Sequence, residues 1–223
     1  MKNKKQKILL LGSVAILFLV ILTVILTEGL KGKKDTHNNT TTAEAQTQPQ
    51  LDSYLLSNEI KQDILPLNPY SRPGDKIRKV NAIVIHYVGN PNTTAAQNRS
   101  YFNNLASQDD GKKKTYASSH YIVGLEGEII QCVPLEEIAY ASNDRNHDTI
   151  AIECCHPDDT GEFTRGTYDS LVKLTAALCR TYGLMPETDI IRHYDITGKE
   201  CPRYFVQNKD AWYEFKLAVK NSI

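Results

Sequence analysis

Apolar residues along this chain fall into one long run near the N-terminus and a series of short runs after residue 51. The long run, Ile8 to Thr27, reads ILLLGSVAILFLVILTVILT, 20 residues without a charge. That is about the length needed to cross a hydrocarbon core of roughly 30 Å, so 8–27 is expected to be a transmembrane helix. Residues 28–50 are polar, rich in Thr, Asn and Gln, and lack aromatic side chains, which is the composition of a flexible linker. Residues 51–223 regain apolar positions and are expected to form one globular domain, with its compact core starting near residue 79.

Within that domain the pattern alternates between the two periods of regular structure. NAIVIHY (81–87) and TIAIECC (149–155) are short, apolar and dense in β-branched residues, as buried strands are. His120–Val123 and Glu128–Val133 flank Leu125-Glu126-Gly127 and read as a hairpin. DIIR (189–192) is a further short strand. Thr94–Leu105 follows Asn92-Thr93, a cap-forming pair, and would place Ala95, Tyr101, Phe102 and Leu105 for an amphipathic helix. Thr167–Tyr182 carries apolar residues close to helical spacing, with Gly183 where a C-cap is expected, and Asn208–Asn221 reads as a final helix. LPLNPYSRPG (65–74) holds three prolines and should lie extended over a domain surface. Strands interleaved with helices imply an α/β domain: a single mixed β-sheet flanked by helices.

Charge orients this arrangement. Lys2, Lys4, Lys5 and Lys7 precede the apolar run, which points residues 1–7 toward the cytoplasm as a tail and puts the domain outside. A cleaved secretory signal is the alternative, but its apolar region usually spans about 7–15 residues and ends at a small-x-small site. Here the run is longer and is followed by Glu28-Gly-Leu-Lys-Gly-Lys-Lys. Residues 1–34 hold seven Lys and one Glu, so of 26 basic and 26 acidic side chains the rest of the chain keeps 19 and 25. An acidic domain argues against nucleic acid as a partner. It also offers no general attraction to an anionic polymer, so a substrate of that kind must be met through proximity and a specific groove. Five cysteines (Cys132, Cys154, Cys155, Cys179, Cys201) cannot all pair within one chain, and adjacent Cys154 and Cys155 should point to opposite faces of a strand. A metal thiolate with buried free thiols fits better than a disulfide framework.

His86 closes the first strand, His193 closes DIIR, and Cys201 lies eight residues further on in HYDITGKECP. The intervening loop contains Gly198 and can bring the thiolate back beside the imidazole. Two imidazoles and one thiolate suit Zn²⁺ and leave a fourth position open. Taken singly, a strand-end histidine is more often a hydrogen-bonded structural residue than a ligand. Glu153 stands alone as a charge inside TIAIECC, and a carboxylate in a buried strand needs a cation or hydrogen bonds. Beside a metal-activated water it would be the general base; the alternative is a salt bridge to Arg192 or Lys199. Lys199 could stabilise an oxyanion, or be a solvated loop lysine.

Four segments together, VNAIVIHYVGNPNTTAAQN, SSHYIVGLEGEIIQCVP, NHDTIAIECCHPD and IIRHYDITGKECPRYF, resemble the type-2 N-acetylmuramoyl-L-alanine amidases, relatives of the peptidoglycan recognition proteins and of phage lytic amidases. The likeness covers roughly residues 62–206. It implies a mixed sheet with a zinc groove, zinc held by His86, His193 and Cys201, Glu153 at a catalytic glutamate position and Lys199 at a catalytic lysine position. It implies a bacterial cell-wall hydrolase acting on peptidoglycan, here tethered to the membrane by the N-terminal helix and expected to be monomeric. Where several members have a catalytic tyrosine, this chain has Ser119, which shifts the expected work to Glu153; Tyr116 and Tyr121 lie nearby, and His120 is expected to be a structural or groove residue.

Two rivals follow from other chemistry. One is a peptidoglycan-binding or sensor protein of the same fold without turnover. The other is a thiol hydrolase pairing a cysteine with His120 or His156, which requires a spatial proximity that spacing does not supply.

Overall fold

The runs read as strands come together in one mixed sheet in a computed structural model that describes residues 49–108, 111 and 113–223. The expected transmembrane helix at 8–27 and nearly all of the expected linker lie outside the described residues. Among the described residues, no helix is long and apolar enough to cross a membrane.

The strands are β1 (Ile60–Gln62), β2 (Ala82–Tyr87), β3 (Tyr121–Val123), β4 (Ile129–Gln131), β5 (Thr149–Cys154) and β6 (Ile190–Arg192), in the order β1-β4-β3-β5-β2-β6. β3, β5, β2 and β6 run parallel, β4 is antiparallel to β3, and β1 is parallel to β4. β5 and β2 are adjacent interior strands and pair over six residues, from Ala82↔Thr149 to Tyr87↔Cys154. Central parallel strands are covered on both faces, which is why these two read as almost continuous apolar runs.

The helices are α1 (Ala95–Asn104), α2 (Arg165–Tyr182), α3 (Pro186–Asp189), α4 (His193–Thr197), α5 (Arg203–Gln207) and α6 (Lys209–Lys220). On one face Ile83, Ile85, Ile150, Ile152 and Cys154 pack with Leu171, Leu174 and Leu178 of α2 and Phe215 of α6. Each of those three leucines is fully buried, a contribution of roughly 1.5–3 kcal/mol apiece. The other face carries Ile122, Ile130 and Cys155, packed with Ala95 and Phe102 of α1 and with Leu65. Cys154 and Cys155 therefore do enter opposite cores, and all five cysteines are buried and unpaired.

Helix ends follow local chemistry. Thr164 accepts from Thr167 N to start α2, and Gly183, at φ +66°, ends it with its N–H on Cys179 O. The cap of α1 is Thr94 itself, reciprocated by Gln97 in a capping box, while Asn92 sits in the left-handed region before it. Ala95, Phe102 and Leu105 are buried as expected, but Tyr101 is half exposed. The C-terminal helix is preceded by a separate short one, α5, whose Phe205 stacks on Phe215 and meets Trp212 at a tilt. Asp189 belongs to α3 rather than to the strand that follows. β1 escaped the periodicity because only Ile60 of its three residues is buried.

The proline-rich strap is a tight turn, not an extended segment. Asn68 Oδ1 accepts from Tyr70 N and Ser71 N, and Asn68 bridges Arg72. Arg72 then pins the strap to the domain: its guanidinium makes a two-point ion pair with Glu137 and donates to Leu65 O at 2.7 Å. Lys76 adds a second cation on Glu137, and together they hold that carboxyl below the ordinary carboxylate range.

Candidate functional site

β2, β5 and β6 are parallel, so their carboxyl ends lie along the same edge of the sheet, the edge at which open α/β sheets bind ligands. His86 is the penultimate residue of β2, Glu153 the penultimate residue of β5, and the two are register partners. His193 follows β6 directly and opens α4 rather than closing the strand. α4 lasts five residues and ends at Gly198, whose φ of +76° turns the chain back. Tyr194 N then donates to Cys201 O at 2.9 Å, which returns Cys201 to the start of the helix.

The result is a three-residue cluster that can hold a metal ion. One ligand atom from each of His86, His193 and Cys201 lies within 4.8 Å of the others, and all three residues are buried. The two imidazole centroids are 4.7 Å apart, and Cys201 Sγ is 3.9 Å from His86 Nδ1. The second nitrogens have partners: His86 Nε2 lies 3.4 Å from Ser142 Oγ, and His193 Nε2 lies 3.2 Å from Asn143 Oδ1.

Burial sets the protonation states. It depresses His86 well below an ordinary histidine, with His193 and Lys199 adding to the shift, and it depresses His193 with help from Lys199. Both rings are thus neutral, the form that ligates metals. Burial, with the Glu153 charge adding to it, pushes the Cys201 thiol up to about 12 against the smaller opposing pull of Lys199. Glu153 repeats the theme: burial raises it to about 8 against the smaller opposing pull of Lys199, and its Oε2 is shut off from solvent without a hydrogen-bond partner. Two neutral imidazoles, a thiol and a carboxylate with an orphaned oxygen are a donor set that fits a divalent cation.

These residues floor a groove of about 590 Å³ whose walls include Tyr87, Phe102, Tyr116 and Tyr140. Lys199 lines it as an exposed side chain without an ion pair among the described residues. The salt bridge considered for Glu153 does not form: Arg192 is committed to Asp195, and Lys199 acts on Glu153 only through its field. Ser119 stays out of the groove, buried with its hydroxyl donating to Tyr121 O, and Tyr121 belongs to the core on the opposite face. Tyr116 does line the groove. His120 is structural. Its Nδ1 accepts from Ala151 N at 3.0 Å, its Nε2 donates to Glu137 O at 2.9 Å, and burial drops it to about 4. His156 Nδ1 bonds Asp158 O, and neither of these histidines contacts a thiol by hydrogen bond. Ser142, Asn143 and Tyr140 carried no sequence signal of their own; Tyr87 and Asn146-His147-Asp148 stood in matched segments, and Tyr116 lay near the Ser119 position.

A profile described as N-acetylmuramoyl-L-alanine amidase matches residues 76–204. The chain is 35% identical to the N-acetylmuramoyl-L-alanine amidase BlyA of Bacillus subtilis (strain 168), over 70% of this chain and 45% of that protein. It is 31% identical to the N-acetylmuramoyl-L-alanine amidase CwlL of Bacillus licheniformis, over 72% and 46% respectively. It spans about half the length of the curated relatives it matches. Among solved structures, the catalytic domain of XlyA superposes with a TM-score of 0.58 at 26% identity, covering 72% of this chain and 98% of that one. PlyL shares the fold at a TM-score of 0.59 and 22% identity, over 74% and 98%. With the profile accounting for more than half its residues, this chain belongs to the N-acetylmuramoyl-L-alanine amidase family.

Proposed function

We propose that this protein is a zinc-dependent peptidoglycan hydrolase that cleaves the amide between the lactyl group of N-acetylmuramic acid and the L-alanine of the stem peptide. The observation that carries the reading is the convergence of His86, His193 and Cys201 within 4.8 Å, beside a carboxylate whose Oε2 has no partner. Family membership names the bond, and the relatives' names agree on it.

His86, His193 and Cys201 would hold the ion. When bound, zinc supplies Lewis acidity, lowering the pKa of water and polarising a carbonyl. Glu153, register partner of His86, takes the proton from the attacking water. Its raised pKa suits the second half of the cycle, in which it returns that proton to the departing alanine amine. Lys199 presents an ammonium from the groove's rim to the developing oxyanion. The presence of all three ligands together with Glu153 favours turnover over a peptidoglycan-binding or sensor role without catalysis.

The proposal extends to location. Ile8–Thr27 acts as a retained anchor with residues 1–7 inside the cell, and the polar stretch to residue 50 tethers the domain near the wall. Digestion of purified peptidoglycan tests the chemistry: new L-alanine amino groups without new reducing ends are expected, and reducing ends alone would overturn it. Protease treatment of intact cells tests the location: the domain should be degraded while residues 1–7 are protected.

A further inference from the structure

An imidazole that ligates through one nitrogen must have its other nitrogen, and the proton on it, held in place. The two buried histidines meet that requirement through one loop. We propose that Ala141–Asn146 is an orienting device in which Ser142 and Asn143 are positioning residues, holding Nε2 of His86 and of His193 and committing Nδ1 of each to the ion. The inference rests on the zinc reading above.

Ser142 is 1% exposed, and its hydroxyl has one side-chain partner, His86 Nε2. That leaves His86 Nδ1 as the nitrogen facing Cys201 Sγ. Asn143 offers its amide oxygen to His193 Nε2; an acceptor there requires the ring to carry its proton on Nε2 and frees Nδ1. Asn143 reaches this position from a backbone φ of +52°, a left-handed conformation that costs most side chains energy and that asparagine tolerates. Such strain persists only where the surrounding structure over-determines it.

The surroundings do so. Asn146 Oδ1 accepts from Ala141 N at 3.0 Å and from Ser142 N at 2.6 Å, fixing the two residues that lead into Asn143. Arg145 is clamped to Asp148 at 2.7 and 2.9 Å, and Asp148 in turn takes the side chain of Asn81. Thr149 Oγ1 donates to Arg145 O. Asn146-His147-Asp148, the segment before β5, thereby serves as the frame of the orienter, with Asn146 on one side and Asp148 on the other.

Zn²⁺ affinity of the full-length protein, measured by chelator competition, tests the assignment without reference to turnover. Asn143→Gly removes the amide while relieving the left-handed strain, so the metal-free protein should melt no lower than wild type. Its affinity for Zn²⁺ should nevertheless fall 10–100-fold, the usual effect of losing a ligand's orienting partner. Asn143→Asp keeps an acceptor oxygen and should stay within a few-fold of wild type. Ser142→Ala should weaken Zn²⁺ binding in the same direction as Asn143→Gly. Affinity within twofold of wild type for Asn143→Gly, or equal loss in Asn143→Gly and Asn143→Asp, would overturn the orienter. A wild-type protein that takes up no Zn²⁺ would instead remove the zinc reading beneath it.

Discussion

Replacing Glu153 with Gln should separate catalysis from stability. The carboxyl stands at about 8 in the fold, against an ordinary value of 4.5, and burial is the first cause. A raised pKa means that the fold favours the protonated form, so stability is lost as pH rises from 4.5 toward 8. At pH 7 the unfolded group has ionised over 2.5 pH units while the metal-free folded one has not. At ~1.36 kcal/mol per unit this is an upper bound of about 3 kcal/mol, and water in the groove brings it to about 1–2 kcal/mol. Gln keeps the shape and has nothing to ionise. Chelator-treated Glu153→Gln should therefore melt about 2–6 °C higher than chelator-treated wild type at pH 7. The gap should close near pH 4 and shrink when Zn²⁺ is added, because the cation then offsets the wild-type charge. Release of L-alanine amino groups from peptidoglycan should fall by about 10²–10⁴-fold, the range for loss of a general base. Activity within twofold of wild type would refute the role of Glu153, and a melting gap independent of pH would refute the burial argument.

Chelation should abolish amide cleavage and Zn²⁺ should restore it; at a thousandfold excess over Kd the metal should add about 4 kcal/mol to unfolding free energy, and a chelator without effect would count against a metal enzyme. Arg72→Ala strips the two-point partner from a Glu137 carboxyl that is nearly buried, and should cost about 3 kcal/mol in a denaturant titration; a loss below 1 kcal/mol would show the strap to be held by other contacts. His120 stays neutral in the fold down to about 4, so the unfolded chain binds the extra proton first, and wild type should lose about 1.4 kcal/mol per pH unit between 6.5 and 4 relative to His120→Gln. Parallel stability curves for the two proteins would show that burial does not set the state of that ring.

Much of the fold was legible because its central strands carry their environment in their composition. NAIVIHY and TIAIECC are apolar on both faces since both faces are covered, and Glu153 stood out as a charge in such a strand. Gly183 marked the end of α2 by chemistry local to the chain, while its start lies at Arg165, capped by Thr164, two residues before the expected Thr167. β1 was not legible: one buried side chain in three residues is no pattern, and only its pairing with β4 makes it a strand. The strap at 65–74 read as extended because proline restricts φ, but Asn68 closes it into a local turn and Arg72 pins that turn to Glu137, 65 residues further along the chain.

For the site, the sequence by itself determined the residue types: two histidines, a cysteine, a glutamate and a lysine, with spacings open to several chemistries. Tertiary structure decided which of them meet. Parallel pairing of β2, β5 and β6 put His86, Glu153 and His193 at one sheet edge, and Gly198 turned Cys201 back to them. It also decided that Lys199 influences Glu153 only through its field, that Ser119 faces away, and that Ser142 and Asn143 hold the outer nitrogens of both rings. Local pattern encodes burial and periodicity, whereas contacts such as His86 with Cys201 or with Ser142 join residues that only the sheet's strand order brings within reach.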